Sequence, residues 1–348
     1  MQAVILAGGT SAQLHPWTPC APKPLLPFFD RPVIEHIIRL LARHEIRDLI
    51  IATSPQSRDI ARHFGTGSHL NVNIRYSIEN EPAGTAGAVR RLGSMISDSF
   101  LVISSDIVTD LDISAAIRAH ESSGSLATVL VHTADDPTRF GTVSYDQENR
   151  ITRFVEKPRS TEIFSDTVSA GIYILQPEVI SSIAPFVSQD FARDTFPLLL
   201  RNGDPISACH LPGYWCDLGD ALQYRNAHFD ALQGKLQIDL PAVYAGEGIW
   251  VGDGVDVHPS AQLAAPVFIG SGASIGRDVV IGGNTIIGAN ARIQDGASIA
   301  RSVIGGSATI WSDTEVANTV IVGELAAQNV EQRRDSPMPD SIIPTPTR

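Results

Sequence analysis

The sequence predicts an α/β protein in which a mostly parallel β-sheet is followed by a C-terminal parallel β-helix. Apolar runs of strand length alternate with helical patterns from residue 2 to about residue 233. From about residue 249 onward, aliphatic residues recur at every sixth position instead. We therefore expect a first domain over residues 1–235, a β-helix over residues 245–325 and a disordered tail over residues 330–348.

Four apolar segments of the first domain are typical of buried strands. They are AVILA at 3–7, DLIIATS at 48–54, FLVISSD at 100–106 and ATVLVHT at 127–133. The clearest helical pattern runs from Pro32 to His44, with its aliphatic residues on one face. Strands and helices in alternation form a Rossmann-like, mostly parallel sheet, which binds ligands at the carboxyl ends of its strands. Gly8, Gly9 and Asp106 lie at such ends.

The repeat in the second domain has a period of six residues, which fits neither an α-helix nor a free strand. Nine aliphatic residues keep one register, and four more resume it after a slip of one residue: Val251, Val257, Leu263, Ile269, Ile275, Ile281, Ile287, Ile293 and Ile299, then Ile304, Ile310, Val316 and Val322. This period is typical of a β-helix whose short strands each point one aliphatic side chain inward. About 18 residues per triangular coil would give about four coils, which is enough for a continuous core.

Composition and charge exclude several classes of function. The net charge of −12 argues against nucleic acid or an anionic membrane as a partner. No apolar run approaches the ~18 residues of a membrane span, and the start MQAVILAGG lacks the basic region of a signal peptide. The three cysteines, Cys20, Cys209 and Cys216, fit reduced thiols. These features predict a cytoplasmic protein.

Lysine is rare in this chain, which uses arginine for most of its positive charges. Only three of the 26 basic residues are lysines, and two of them occur in the short contexts PKP and EKP. A compact ammonium group and a guanidinium fork are not interchangeable. Lys23 and Lys157 are therefore candidates for functional point charges.

Seven short motifs occur in one order ahead of the hexapeptide repeat. They are LAGG (6–9), PKPLLPF (22–28), EPAGTAGAV (81–89), SSD (104–106), FVEKP (154–158), SAGIYIL (169–175) and GYWCDLG (213–219). With these motifs, about residues 1 to 323 resemble the sugar-1-phosphate nucleotidyltransferases that carry a left-handed β-helix. The resemblance is closest to the members that use mannose-1-phosphate and GTP.

The resemblance implies transfer of a nucleotidyl group to a sugar-1-phosphate, giving a nucleotide sugar and pyrophosphate. A sugar-phosphate oxygen attacks the α-phosphorus, so catalysis consists mainly of positioning and charge neutralisation. The resemblance places Lys23 on the phosphates and implies Mg²⁺ held by Asp106 and Asp217. Mg²⁺ prefers oxygen ligands, and two carboxylates plus substrate phosphates suffice to hold it.

The resemblance also assigns residues to the two substrates. Those expected to bind the nucleotide are Leu6, Ala7, Gly8, Gly9, Glu81, Pro82, Gly84 and Thr85. Those expected to bind the sugar phosphate are Gly141, Glu156, Lys157 and Ser169. Thr85 is also a candidate for the N-cap of a helix, and the two roles are compatible.

One loop departs from the family pattern G-G-x-G-T-R-L-x-P-L-T. At the second-glycine, threonine and arginine positions this chain has Ser11, Ala12 and Gln13. Arginine in the relatives neutralises charge on the triphosphate, whereas Gln13 can donate a hydrogen bond but carries no charge. The resemblance makes Gln13 and Lys23 the catalytic candidates, and the substitution places the competence of the loop in question.

Three functions stay open on these residues. The first is a nucleotidyltransferase, with guanylyl transfer favoured over thymidylyl or uridylyl transfer. The second is a non-catalytic regulatory subunit that binds the nucleotide sugar. The third is a bifunctional enzyme whose β-helix transfers an acyl group with His258 as its base. For each, the exposed ends of the β-helix predict a homo-oligomer.

Overall fold

The computed structural model describes residues 1–8, 22–55, 58–79, 81–321 and 342–343. The Gly9 and Gln13 positions lie outside the described residues. The chain divides into two compact units: the first contains the described parts of Met1–Thr10, Ile37–Ser105 and Leu111–Trp215, and the second those of Ser11–His36, Asp106–Asp110 and Cys216–Arg348. Short segments from the N-terminal part of the chain thus belong to the same unit as the β-helix.

The strands and helices are numbered in chain order. The first thirteen strands are β1 (Gln2–Ala7), β2 (Pro27–Phe28), β3 (Arg31–Pro32), β4 (Asp48–Thr53), β5 (Asn73–Ile78), β6 (Phe100–Ser104), β7 (Ile107–Thr109), β8 (Ala127–Thr133), β9 (Gly141–Tyr145), β10 (Ile151–Glu156), β11 (Thr167–Leu175), β12 (Ile206–His210) and β13 (Trp215–Asp217). The α-helices are α1 (Val33–Arg43), α2 (Arg58–Phe64), α3 (Gly84–Arg91), α4 (Ile113–Ser123), α5 (Phe196–Asn202) and α6 (Ala221–Leu232).

The remaining strands are short and follow α6. They are β14 (Val243–Gly246), β15 (Ile249–Val251), β16 (Asp256–Val257), β17 (Gln262–Leu263), β18 (Val267–Ile269), β19 (Ser274–Ile275), β20 (Val280–Ile281), β21 (Thr285–Ile287), β22 (Arg292–Ile293), β23 (Ser298–Ala300), β24 (Val303–Ile304), β25 (Thr309–Ile310), β26 (Glu315–Ala317), β27 (Val320–Ile321) and β28 (Ile342–Ile343).

A nine-stranded sheet forms the centre of the first unit, with β10, β9, β11, β6, β1, β4 and β5 in that order; β8 also pairs with β11, and β12 pairs with β8. Strand β5 pairs parallel with β4, and β1, β4 and β6 are parallel to one another, as the apolar runs predict. Their central residues Val4, Ile50 and Val102 are completely buried, which is why these segments lack polar alternation. The other half of the sheet is mixed, because β11 runs antiparallel to both β6 and β8.

The β-helix of the second unit consists of three stacks of parallel strands. Each coil contributes one strand to each stack, as β18, β19 and β20 do, and strands β15 to β26 complete four coils, as predicted. The predicted slip is confirmed by the pairing of Ile287 with Ile304. A second slip pairs Ile304 with Ile321, so Ile321 takes the core position that the hexapeptide register assigns to Val322. Val322 itself lies outside the described residues.

Helix α1 begins at Val33, one residue after the predicted start at Pro32. Strands β2 and β3 form a hairpin immediately before it. No helix in the described part of the chain is long and apolar enough to cross a membrane.

Candidate functional site

Three charged side chains of the second unit converge, and we call Lys23, Asp106 and Asp217 the charge cluster. The Lys23 Nζ atom lies 2.5 Å from Asp106 Oδ2 and 3.9 Å from Asp217 Oδ1. The lysine side chain is 13% exposed and the two carboxylates are 33% and 25% exposed. All three residues are predicted from the sequence, and the structure brings them together although 83 residues separate Lys23 from Asp106.

Local backbone structure holds each member of the charge cluster in place. Lys23 is the first residue of a 3₁₀ turn (Lys23–Leu25), and the prolines on either side of this lysine restrict the backbone. Leu26 N–H donates to the Lys23 carbonyl oxygen over 3.1 Å. Asp106 directly precedes β7, which pairs with β13. Leu218 N–H donates to the Asp106 carbonyl oxygen over 2.9 Å, which holds Asp106 beside Asp217, the last residue of β13.

The charge cluster fits a hard divalent cation that is only partly held by protein. The Lys23 ammonium already lies between two carboxylates, which shows that this position favours positive charge. Within the described ranges, no group of three or more histidine, cysteine, aspartate or glutamate side chains forms a closed metal cage. Two carboxylates with open positions for phosphate and water are the arrangement that suits Mg²⁺.

Leu6, Ala7 and Gly8 lie at the carboxyl end of β1 in the first unit, where the sequence predicts a phosphate-binding turn. Ser105 N–H donates to the Leu6 carbonyl oxygen over 3.1 Å and fixes this end of the strand. A Cβ atom at Gly8 would lie 3.9 Å from Oε2 of Glu79. The nucleotide loop therefore begins next to a carboxylate that none of the sequence motifs includes.

Glu79 follows β5 directly and is 7% exposed. The amide of Ala83 donates to its Oε2 over 3.5 Å, while its Oε1 has no hydrogen-bond partner among the described residues. Burial raises the pKa of the Glu79 carboxyl. A buried carboxylate oxygen without a partner is costly unless a ligand completes its hydrogen bonds. Glu79 follows a strand of mixed polarity (NIRYSI, β5), so the apolar run that selected Asp106 as a candidate has no counterpart before Glu79.

The predicted base-binding residues surround the N-terminus of α3. Gly84 is the first helical residue and has a φ of 74°, and a Cβ atom there would overlap the Gln189 carbonyl oxygen. Ala83 occupies the N-cap position, so the N-cap role considered for Thr85 is wrong. The Thr85 hydroxyl instead donates to Asp190 Oδ2 over 2.7 Å and accepts from Phe191 N–H over 2.9 Å. Glu81 and Pro82 are exposed on the loop before the helix.

The predicted sugar-phosphate residues lie on β9, β10 and β11. Gly141 opens β9 and faces Glu156, the last residue of β10, and a Cβ atom at Gly141 would lie 2.8 Å from Glu156 Oε2. Lys157 follows with a φ of 45° and an exposed side chain. The hydroxyl of Ser169 on β11 donates to the Tyr173 hydroxyl over 3.4 Å. Thus Gly141 and Glu156 are brought together, whereas Ser169 is engaged with its own strand.

The carboxyl of Glu156 has a pKa raised to about 7, mainly by burial and secondarily by the nearby charge of Asp190. Lys157 and Arg193 oppose this shift. Ligand hydroxyls that donate hydrogen bonds to such a carboxyl group stabilise its charged form, which burial disfavours.

His258, the candidate acyl-transfer base, lies after β16 in the first coil of the β-helix. Its Nδ1 atom is 2.9 Å from the hydroxyl of Ser260, and the Ser260 amide lies 3.2 Å from the same nitrogen. These contacts make His258 part of a turn between two short strands.

Comparison with protein families assigns the two parts of the chain separately. The model of the nucleotidyl transferase family matches residues 2–234. The model of the bacterial transferase hexapeptide, with six repeats, matches residues 266–301.

Similar curated proteins cover both parts. A mannose-1-phosphate guanyltransferase of Schizosaccharomyces pombe is 32% identical over 95% of this chain and 93% of its own length. A UTP–glucose-1-phosphate uridylyltransferase of Synechocystis is 29% identical over 92% of this chain and 82% of its own length. Among solved structures, a Bacillus anthracis protein described as a glucose-1-phosphate thymidylyltransferase has a TM-score of 0.62 and 27% identity, and the match covers 69% of this chain and 97% of that one.

Proposed function

The chain belongs to the nucleotidyl transferase family, and we propose that it transfers a guanylyl group from GTP to a sugar-1-phosphate, with mannose-1-phosphate favoured. Transfer to a sugar-1-phosphate is supported by the family match and by relatives that carry this activity in their names. The observation that carries the choice of guanine is the buried, partly unpartnered carboxylate of Glu79 beside Gly8.

The proposed reaction is an in-line displacement at phosphorus. A phosphate oxygen of the sugar-1-phosphate attacks the α-phosphorus of GTP, and the bond from this phosphorus to the bridging oxygen of the β-phosphate breaks. Pyrophosphate leaves with that oxygen, and the product is a nucleotide sugar. The reaction needs no covalent intermediate on the protein, so its residues act by placing the reactants and by stabilising negative charge.

The charge cluster would supply the stabilisation. Lys23 is held in place between two prolines and presents its ammonium at the centre of the cluster. Asp106 and Asp217 would hold Mg²⁺, which supplies positive charge to the phosphate oxygens when bound. The Lys23 ammonium, which now pairs with these carboxylates, would contact a phosphate oxygen of the bound triphosphate.

Glu79 would read the base. Guanine presents two donors on one edge, N1–H and the N2 amino group, and both can donate to one ionised carboxylate. Uracil and thymine present only one N–H on the corresponding edge. Two donated hydrogen bonds also favour the charged form of a carboxyl whose pKa burial has raised. A buried acceptor left without its second donor is costly, so the site would discriminate against pyrimidines.

Glu156 and Lys157 would bind the sugar phosphate. Glu156 lies at the end of β10 with its carboxylate against the bare backbone of Gly141, so sugar hydroxyls can approach it closely. The exposed ammonium of Lys157 follows directly and suits a phosphate group.

The regulatory-subunit function is favoured by one specific observation, the uncharged sequence Ser11, Ala12 and Gln13 in the nucleotide loop. A subunit of this kind would keep the charge cluster and Glu79 for binding and would turn over slowly.

The deciding experiment measures pyrophosphate release with GTP, UTP, dTTP and ATP, each combined with mannose-1-phosphate and glucose-1-phosphate in the presence of Mg²⁺. We expect the highest kcat/KM with GTP. The variant Glu79→Gln should lower kcat/KM for GTP by about 10- to 100-fold and leave the values for UTP and dTTP nearly unchanged. The exposed carboxylate variant Glu148→Gln is the matched control.

Two outcomes separate the possible functions. A preference for UTP or dTTP that Glu79→Gln leaves intact would overturn guanine recognition. Tight, Mg²⁺-dependent binding of GDP-mannose without pyrophosphate release would support the regulatory subunit instead.

A further inference from the structure

The tip of the β2–β3 hairpin packs against the β-helix within the second unit. Phe29 and Asp30 form its two-residue turn and both have positive φ values, 50° and 62°. Turns of this kind match the twist of a hairpin and project the turn side chains outward. The hairpin starts four residues after Lys23, so whatever fixes its tip also restricts the lysine.

The carboxylate of Asp30 joins two neighbouring coils of the β-helix. Its Oδ1 accepts from the Ala289 amide over 2.7 Å, and its Oδ2 accepts from the Ser271 amide over 3.2 Å. A Cβ atom at Gly270 would overlap Asp30 Oδ2, so glycine at this corner leaves room for the carboxylate. Two coil amides thereby receive a charged acceptor, which forms a stronger hydrogen bond than a neutral one.

A closed aromatic cluster surrounds the same contact. The Phe29 ring lies 5.1 Å from the Phe268 ring on β18 and 4.8 Å from the His228 ring on α6, and Phe28 lies 4.2 Å from His228. Each of these four side chains is at most 1% exposed. Burial lowers the pKa of His228 to about 3, so its neutral ring packs as an aromatic group. The hairpin tip is therefore anchored by packing as well as by hydrogen bonds.

The other two members of the charge cluster lie on segments with similar anchors. Asp217 lies four residues before the start of α6, and Arg225 on that helix donates to the carbonyl oxygen of Asn318 in the β-helix. The segment after Asp106 ends at Asp110, whose carboxylate accepts from Gln237 N–H over 2.8 Å on the chain that leads into the β-helix.

We infer that Asp30 is a positioning residue for Lys23, and that the coils at Ser271 and Ala289 are a structural support of the charge cluster. The β-helix would then determine the placement of the catalytic lysine in addition to any part it has in assembly. The effect on turnover rests on the proposed function, whereas the placement of Lys23 does not.

The test uses the small number of lysines in this chain. The full-length protein is acylated under trace conditions with an amine-reactive reagent, and the rates at Lys23, Lys157 and Lys235 are measured by peptide mass spectrometry. In Asp30→Ala we expect the rate at Lys23 to rise several-fold, because the lysine leaves its half-buried site more often. The rates at Lys157 and Lys235, which are exposed in the wild type, should stay unchanged.

Asp295→Ala is the matched control. Asp295 Oδ1 accepts from the Arg277 amide over 2.7 Å and joins two neighbouring coils in the same way, next to Gly276, where a Cβ atom would overlap this carboxylate. It has no connection to the hairpin through the contacts described. Equal rates at Lys23 in the wild type and Asp30→Ala, or equal increases in both variants, would overturn the inference.

Two further measurements keep the result interpretable. Asp30→Asn retains one acceptor oxygen and should show a smaller increase at Lys23, so it replaces Asp30→Ala if that variant does not fold. In a protein that releases pyrophosphate, Asp30→Ala should lower kcat about 10- to 100-fold with little change in KM for the triphosphate. A fall in kcat without a change in Lys23 acylation would also overturn the inference, because the effect would then not act through the lysine.

Discussion

The charge cluster and the two recognition carboxylates, Glu79 and Glu156, compensate their charges in different ways. In the charge cluster, one lysine lies between two aspartates, and each charge has an opposite charge within 4 Å. Glu79 has an oxygen without a partner among the described residues, and the pKa of Glu156 is raised to about 7 by burial. The first group is stable without substrate, whereas the second is destabilised until a ligand donates hydrogen bonds.

This difference separates two tasks in the proposed reaction. A compensated group of charges can exchange one partner for another as a metal and phosphates arrive, which suits catalysis by charge neutralisation. A buried, uncompensated acceptor penalises every ligand that lacks the matching donors, which suits recognition. Substitutions in the two groups should therefore have different consequences.

The largest effect is expected from neutralising the charge cluster. Asp106→Asn and Asp217→Asn should each lower nucleotidyl transfer by about 10²- to 10³-fold, the range found when a preorganised electrostatic contact is removed. Pyrophosphate release and calorimetric titration of GDP-mannose with and without Mg²⁺ measure the loss. The exposed Asp98→Asn serves as the control, and an unchanged metal dependence in either cluster variant would exclude Mg²⁺ binding at these carboxylates.

The next effect is an increase in turnover, and it tests whether the nucleotide loop lacks a positive charge that the reaction needs. Ser11→Gly, Ala12→Thr and Gln13→Arg together should raise turnover at least about tenfold, because an arginine adds a preorganised charge and a glycine lets the backbone approach phosphate. Stopped-flow detection of pyrophosphate gives the rate. Ordinary turnover by the wild type, or no gain in the triple variant, would show that the loop does not limit the reaction.

A pair of threonines compares a hydroxyl that has partners with one that has none in the described structure, one threonine in each unit. Thr85→Val should lower the free energy of unfolding by about 1–3 kcal/mol, because Phe191 N–H and the Oδ2 atom of Asp190 lose the hydrogen bonds that the Thr85 hydroxyl makes with them. Thr285→Val should change it by less than about 1 kcal/mol, because the completely buried Thr285 hydroxyl has no partner in the described structure. Urea unfolding measures both, and equal losses would contradict the assigned contacts.

The last effect concerns the pH dependence of stability at Glu156. With a folded-state pKa of about 7 against an ordinary value of 4.5, the folded protein holds this proton more tightly than the unfolded chain. Its contribution to stability is therefore present below pH 4.5 and is lost as the pH rises to 7. The difference in Tm between Glu156→Gln and the wild type should therefore shift in favour of Glu156→Gln as the pH rises across this range. Calorimetry at several pH values measures the difference, and a constant offset would contradict the raised pKa.

Much of the fold is predictable from local patterns. Continuous apolar runs predict β1, β4, β6 and β8, because buried parallel strands need apolar residues on both faces. The hexapeptide repeat predicts the coils, because each coil packs on the same side chains one turn away. The mixed half of the sheet is not predictable in this way, since strand direction depends on contacts distant in sequence.

The residues of the candidate site also divide into those that local sequence predicts and those that it does not. Short motifs identify Lys23, Asp106 and Asp217, because these chemical groups have a recognisable local context. Glu79 and Asp30 have no such context, and their environments come from residues elsewhere in the chain.

Residue type and order were sufficient to establish the two-part architecture, the family resemblance and the members of the charge cluster. Three features emerged only from the folded chain: the β-helix shares a compact unit with Lys23, Asp30 joins its coils, and Glu79 keeps an oxygen without a partner among the described residues. The physical reason is that burial and hydrogen bonding are set by the whole set of neighbours around a side chain. Those neighbours come from distant segments, and no local pattern encodes them.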